Sequence, residues 1–302
     1  MLICDDYLIP ASLDEAFAAM AQHRGRYRIV AGATDTLPWA RQGRAGDVEI
    51  PILIDVSKIT ELNVLRVDDN RVRLGAATPM QRFLEDAKLA RALPEMPRCA
   101  VWFADDQIRA QATVGGNVVN ASPAADATPC LMAHNASVEL VSARGKRSIP
   151  LGEFVIGPNK TALAEGELLT VIECDALPDY GGSFEKVGHR RSLVISLVCL
   201  AALIKLDRDG RNIEDARLAI AGIAPVPYRL AEAEKLLRGA PLSADLMEKA
   251  AEIPVALVAS RTRQAYRRDV VRGFMLRGLM NAARRAGADA HALTPELEAV
   301  YA

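Results

Sequence analysis

The sequence is short of the features that mark several protein classes. Its five cysteines, Cys4, Cys99, Cys130, Cys174 and Cys199, are dispersed with no Cys-x-x-Cys spacing. That pattern excludes a disulfide framework and a cysteine-held metal or iron-sulfur site, and leaves reduced packing thiols. Neither sign of charge dominates: 37 Lys and Arg stand against 38 Asp and Glu, a formal net charge of -1. Nothing electrostatic therefore points to nucleic acid or an anionic membrane as partner. The most apolar run, "LVISLVCLAALI" at 193–204, lies between Arg191 and Lys205 and is too short for a membrane span; it reads as a buried core strand. "MLICDDYLIP" has neither the basic region nor the apolar stretch of a signal peptide, so the expected location is cytoplasmic. No glycine loop continues into Gly-Lys-Ser/Thr, no GxGxxG is present, and no internal repeat is found.

What is there organises a chain of 302 residues, enough for two or three domains. Ser12 followed by Glu15 is a capping-box pattern that starts a helix near residue 13. "RYRIV" is a strand feeding the turn "AGATDTLP", and "PILIDVSKI" and "RVRLGAATPM" alternate as strands do. Thr78 and Pro79 look like an N-cap and first helical residue for "QRFLEDAKLARAL", and "SPAADATPCLMAHN" reads as a helix with Pro123 in its first turn. "ASVELVSARGKRSIPL" is a hairpin turning at Arg144 and Gly145. Proline and glycine crowd "ECDALPDYGGSFEKVG", which places a domain boundary near residue 177.

Beyond it come three strand-like runs and two helices, "YRLAEAEKLLRG" and a long one from about 260 to 286. That order predicts an α+β unit with helices on one face of a small antiparallel sheet. Two stripes repeat at helical spacing in the long helix, Tyr266, Val270 and Phe274 beside Val271, Met275 and Leu279, so it is a core helix with a solvated basic face.

Two glycine-containing turns carry the chemistry: "AGATDT" at 31–36 and "TVGGN" at 113–117. Without Cβ atoms, successive backbone N–H groups can face one concavity and cradle a phosphate, and two cradles can hold a pyrophosphate. Asp126 would repel a phosphate and instead suits a hydroxyl.

"IVAGATDTLP", "LGAATPM", "FADDQIRAQATVGGN", "ASPAAD", "GELLTVIE" and "FEKVGHRRS" occur in that order. Together they resemble the FAD-binding medium subunit of the molybdenum hydroxylases, the xanthine dehydrogenase and carbon monoxide dehydrogenase family. The resemblance extends to the closing "ASRTRQAYRRDVVRGFMLRGLM". It implies an FAD-binding domain of the vanillyl-alcohol-oxidase (PCMH) type over 1–176, with subdomains of about 1–57 and 58–176. A small α+β flavoprotein C-terminal domain over 177–290 and a tail at 291–302 would follow.

The resemblance assigns FAD to two loops, Ile29, Val30, Ala31, Gly32, Ala33, Thr34, Asp35 and Thr36 on one side and Thr113, Val114, Gly115, Gly116 and Asn117 on the other. It adds Ala77, Asp126 as a cofactor-contacting carboxylate, Phe103 as the aromatic stacked on the isoalloxazine, and Leu169 packed on the flavin. Lys186 lies near the ring, where its charge would favour the anionic reduced flavin. The plain alternatives are core packing for Phe103 and Leu169 and a surface position for Lys186.

By the same resemblance, this chain would take electrons from two [2Fe-2S] clusters in a small iron-sulfur subunit and pass them to a terminal acceptor. Hydroxylation of an N-heterocycle or aldehyde would occur at a molybdenum cofactor in a large subunit, the whole forming a dimer of heterotrimers. The scattered cysteines agree with clusters being held elsewhere. Three departures stand out: Ala110 replaces an asparagine common in bacterial relatives, Ala33 a frequent second glycine, and Leu193 and Val194 acidic residues found near the flavin in many relatives. Two rivals stay open, a stand-alone FAD-dependent reductase or oxidase on the same fold and a scaffold subunit that has lost its flavin.

Overall fold

The computed structural model of the chain describes residues 2–190, 193–259 and 262–289. The expected tail at 291–302 lies outside the described residues.

The capping box forms as the sequence predicts: Ser12 Oγ accepts from the Glu15 amide, and the Glu15 carboxylate accepts from the Ala11 amide at 2.8 Å. The helix it starts, α1 (Leu13–Gln22), turns Ala16, Phe17 and Met20 inward and connects β1 (Asp6–Leu8) to β2 (Tyr27–Val30). A short α2 (Thr36–Arg41) leads on to β3 (Ile52–Asp55). These strands form a parallel sheet in the order β1-β3-β2.

A second, antiparallel sheet begins with β4 (Leu65–Val67) and β5 (Arg71–Gly75). Six short helices then intervene: α3 (Arg82–Glu85), α4 (Ala87–Ala92), α5 (Met96–Trp102), α6 (Asp106–Gln111), α7 (Val114–Asn120) and α8 (Ala127–Ala133). The chain returns through the hairpin β6 (Ser137–Ser142) and β7 (Gly145–Pro150), α9 (Leu151–Phe154), the small pair β8 (Val155–Gly157) and β9 (Lys160–Thr161), and β10 (Leu168–Asp175). The order is β4-β5-β10-β6-β7.

The third unit is the expected α+β arrangement. It is an antiparallel sheet of β11 (Gly181–Val187), β12 (Val198–Leu206), β13 (Ile213–Ala221) and β14 (Tyr228–Arg229), followed by α10 (Ala231–Leu237), α11 (Ala244–Glu252) and α12 (Gln264–Arg285). Its other face rests on α5 and α8. Alternate residues of β12 therefore enter different cores, Cys199, Ala201 and Leu203 one and Leu200, Ala202 and Ile204 the other. A strand buried on both faces reads as an unbroken apolar run.

Local expectations fail where a side chain or a distant strand takes over the backbone. The single helix expected after Pro79 breaks at Asp86, whose carboxylate caps a new helix by accepting from the Lys88 and Leu89 amides. Thr78 is no cap, because Pro79 is drawn into a bridge with Thr113. The helix expected from Pro123 starts only at Ala127, and α11 was not anticipated. The apolar run becomes a strand only at Val198, leaving Leu193 and Ile195 exposed. In α12 the stripe of Val271, Met275 and Leu279 is fully buried, whereas Tyr266 faces solvent. Four of the five cysteines are buried, and burial pushes their thiols up, as inert packing residues require.

The seam between the second and third sheets is pinned at Asp175. Its carboxylate accepts from Arg71 and Arg217 at 2.6 Å each and from Asn135 at 2.8 Å. Burial pushes the carboxyl up, but these hydrogen bonds and the two guanidinium charges outweigh it and hold it below its usual range. A depressed folded value means that the contribution is present above the unfolded pKa, about 3.9, and lost as pH falls through the folded one. Arg217→Met should cost about 1–3 kcal/mol at neutral pH, the gap to wild type closing as Asp175 protonates below about pH 4. Urea denaturation across pH 3–7 would check this, a constant gap counting against the assignment.

Candidate flavin site

The two glycine loops come together, although they are distant in sequence. Gly32 lies so close to the α6–α7 junction that a Cβ would stand 2.6 Å from the Gln111 carbonyl carbon and closer still to its oxygen. Asn120 at the end of α7 donates to the Asp35 carboxylate at 2.8 Å. That carboxyl is pushed up by burial, which weakens its repulsion of an anion nearby.

The backbone N–H groups of Ala31, Gly32, Ala33, Thr34 and Asp35 make no hydrogen bond to any described residue. Five successive unspent donors are what a phosphate cradle needs. Ile29 and Val30, by contrast, lie in β2 opposite Ile54 and Asp55 of β3, Val30 O accepting from the Val56 amide at 2.9 Å, and Thr36 opens α2. Ala33 holds φ at +51°, so this turn does accept a Cβ in the left-handed region. Such a backbone costs an L-residue about 1–2 kcal/mol. Ala33→Gly should therefore raise unfolding stability by about 1 kcal/mol with an unchanged urea m-value.

The second loop differs from the sequence expectation. Gly115 and Gly116 occupy the first turn of α7 with ordinary helical φ, so no tight turn is made. Their donors are spent: Val114 N–H reaches Thr78 O, Gly115 N–H reaches Ala76 O at 2.9 Å, and Gly116 N–H is capped by Thr113 Oγ1 at 3.0 Å. Residues 114–116 therefore offer close approach, with no cradle of amides. A Cβ on Gly115 would stand 2.6 Å from Ala76 Cβ, so this glycine serves packing. One on exposed Gly116 would meet only Thr113 Oγ1, at 2.8 Å. The adjacent Asn117 Oδ1 is buried and has no hydrogen-bond partner among the described residues. A buried, unpaired amide oxygen is costly unless a ligand or water completes it.

Ala77 and Leu169 border the same region. Ala76 N–H donates to Thr170 O at 2.8 Å, beside the irregularity in β10 between Leu169 and Val171. Both Ala77 and Leu169 are buried, whereas Phe103 is half-buried at the end of α5. The Phe103 carbonyl is held by the buried Arg109 guanidinium at 3.0 Å.

Lys186 is not a surface residue. Its ammonium, 2% exposed, meets the Asp126 carboxylate at 2.6 Å and also donates to Trp102 O at 3.1 Å. Ser196 Oγ donates to the other Asp126 oxygen at 2.5 Å. Burial pushes the Asp126 carboxyl up, opposed by Lys186 and Ser196. Beside this pair lies a cavity of about 300 Å³ bordered by Trp102, Gly188, His189, Arg190 and Val194.

Residues 3–174 match the family described as "FAD binding domain in molybdopterin dehydrogenase", and residues 183–282 match "CO dehydrogenase flavoprotein C-terminal domain". The chain belongs to the FAD-binding medium subunits of the molybdenum hydroxylases. It is 34% identical to the glyceraldehyde dehydrogenase medium chain of Sulfolobus acidocaldarius over 73% of this chain and 79% of that one. It is 32% identical to a xanthine dehydrogenase FAD-binding subunit of Escherichia coli over 83% and 85%. Among solved structures, a carbon monoxide dehydrogenase chain from Hydrogenophaga pseudoflava superposes with a TM-score of 0.87 at 25% identity, covering 94% of this chain and 99% of that one.

For this medium subunit the residues present fit FAD: an unspent amide run, an orphaned buried amide oxygen and an exposed helix-turn glycine lie within one region. Ser196, Trp102, Asn120 and Arg109 were missed by sequence reasoning. Ser196 and Asn120 act through side-chain contacts with residues far away, Trp102 through its backbone carbonyl, and Arg109 through the Phe103 carbonyl six residues before it, and no local motif signals any of these.

Proposed function

We propose that this chain is the electron-transfer flavin subunit of a heteromeric molybdenum hydroxylase, taking electrons from [2Fe-2S] clusters of a small partner subunit and passing them to a terminal acceptor. The five unspent amides at 31–35, in a loop that packs against the α6–α7 junction, are the observation that carries the flavin part of this reading. FAD, when bound, accepts electrons singly and releases them in pairs.

In this reading residues 31–36 and 113–117 hold the cofactor, the first loop donating its amides and the second allowing close approach at Gly116. Ala77, Leu169 and Phe103 supply the apolar walls. Lys186 and Asp126 set the charge near the ring, and Ser196 keeps the carboxylate oriented. Residues 1–176 form the flavin-binding part, in subdomains of about 1–57 and 58–176, and 177–290 the C-terminal domain. Hydroxylation of an N-heterocycle or aldehyde takes place in a large molybdenum subunit, in a dimer of cytoplasmic heterotrimers. Relatives named for glyceraldehyde and xanthine oxidation support those two substrate classes.

The test is metal and flavin analysis of the native complex isolated through this chain. One FAD with about four irons and one molybdenum per copy is expected, as two [2Fe-2S] clusters and one molybdenum site require. Flavin without metal would mean a self-contained flavoenzyme, and absence of flavin a scaffold.

A further inference from the structure

The carboxyl end of α5 is closed by two cations from elsewhere in the fold. A helix leaves its last carbonyls without intrahelical partners. Here two successive ones are taken by side chains: Trp102 O accepts from the Lys186 ammonium at 3.1 Å and Phe103 O from the Arg109 guanidinium at 3.0 Å. Lys186 belongs to β11 and Arg109 to α6, and both are more than nine-tenths buried. Each carbonyl fixes one peptide plane, and the two planes flank the Phe103 Cα. With both held, the Phe103 backbone is set at φ -81° and ψ 111°, and the ring keeps only its side-chain torsions. The next residue, Ala104, stands at φ +45°, a conformation that L-residues disfavour, so contacts rather than local preference hold this turn.

Arg109 has no part in the flavin reading above, unlike Lys186, Asp126 and Phe103. As a device for stability it is poor. Its guanidinium is buried, its Nε–H has no partner among the described residues, and its ion pair is with Asp106, whose side chain is 91% exposed. A buried guanidinium left partly unpaired costs more than an apolar side chain of similar volume. What it gains is geometric: one branch on Phe103 O and another on the Asp106 carboxylate join the start of the turn to the start of α6.

We propose that Arg109 is a positioning residue: it clamps the turn that carries Phe103, so that the aromatic ring is held in place before a flavin binds. The proposal rests on the flavin reading above, in which Phe103 is an apolar wall of the cofactor site. A wall already fixed loses no backbone freedom when the ligand arrives, and affinity rises by what is not lost. Arg109 touches no ligand in this scheme and acts only through the Phe103 carbonyl.

The experiment uses the full chain with Trp39→Phe, which leaves Trp102 as the only tryptophan. Arg109→Met removes every donor, and Arg109→Lys keeps the charge but replaces the fork by a point charge. Acrylamide quenching of Trp102 without FAD reads the mobility of the turn, titration with FAD reads affinity, and visible circular dichroism of the bound flavin reads the setting of its ring. In Arg109→Met, quenching should rise about twofold and the FAD Kd about tenfold, with an altered dichroism band. Arg109→Lys should lie between that variant and the parent. Phe103→Leu should itself weaken FAD, and Arg109→Met should add less than about twofold in that background, because its effect passes through the ring. Unchanged affinity and dichroism in folded Arg109→Met, or full additivity with Phe103→Leu, would overturn the proposal and leave Arg109 a structural residue. If Arg109→Met does not fold, Arg109→Lys decides by the same criteria. The flavin reading fails separately, by absence of FAD from the wild-type chain.

Discussion

Gly116→Val protein is expected to fold with a melting temperature within a few degrees of wild type and to lose at least about nine-tenths of its FAD. Among the described residues, the added Cβ meets only the Thr113 hydroxyl at 2.8 Å, a side chain that can rotate away. The fold then loses at most the helix cap that Thr113 gives to Gly116 N–H, worth about 1 kcal/mol and hence a few degrees. Any large loss of flavin must come from the cofactor's own claim on that space. Gly115→Val is the contrast: its Cβ would stand 2.6 Å from both Ala76 Cβ and Ala76 O, and backbone cannot yield as a side chain does. That variant should be largely insoluble or unfolded. Full flavin occupancy in Gly116→Val would remove this loop from the binding site, and a folded Gly115→Val would contradict the packing described here.

Lys186→Met should destabilise the chain by about 3–5 kcal/mol at neutral pH, the cost of leaving a buried carboxylate without its cation. Lys186→Met combined with Asp126→Asn should recover most of that loss, because no charge then remains in the buried position. The pH dependence has a definite sign. With Lys186 gone, burial that pushes the Asp126 carboxyl up loses its main opponent. A folded value above the unfolded one gives a contribution present below about pH 3.9 and lost as pH rises through the folded value. The variant should thus lie nearest to wild type in acid and fall further behind as pH increases. Denaturant titrations of the single and double variants from pH 5 to 8 would decide this, and a pH-independent gap would sink it. Ser196→Ala should show a smaller loss, about 1 kcal/mol, since it removes one hydrogen bond and leaves the ion pair.

Local signals in the sequence were reliable where the physics is local. The Ser12–Glu15 cap formed because both partners lie within one helical turn. The hairpin of β6 and β7 turns at residues 143–144, where short-range chemistry is decisive. The helix expected from Pro79 failed because Asp86 competes for the amides ahead of it and Thr113 captures the neighbouring backbone. The apolar stretch misled at its first half, since hydrophobicity alone does not say where pairing with β11 begins.

In the site, glycine spacing identified both loops but not the reason for each glycine. Gly32 and Gly115 lack Cβ atoms because protein backbone presses on them, and Gly116 is the one left with an open side. Amide availability was likewise invisible in the sequence: the 31–35 loop keeps its donors, while α7 spends its first three on Ala76, Thr78 and Thr113. Lys186 and Asp126 were each read as facing the cofactor, and in the fold they face one another.

The order of motifs, the distribution of apolar residues and the turn chemistry, all properties of the chain as written, determined the α+β class, the family and the two loops that meet. Tertiary structure alone decided which glycine can admit a ligand, which amides remain unspent, and that the one buried lysine near the cavity is neutralised. Those outcomes depend on what each atom meets from a distant segment, and Gln111 against Gly32, or Asp126 against Lys186, becomes a neighbour only once the sheets have packed.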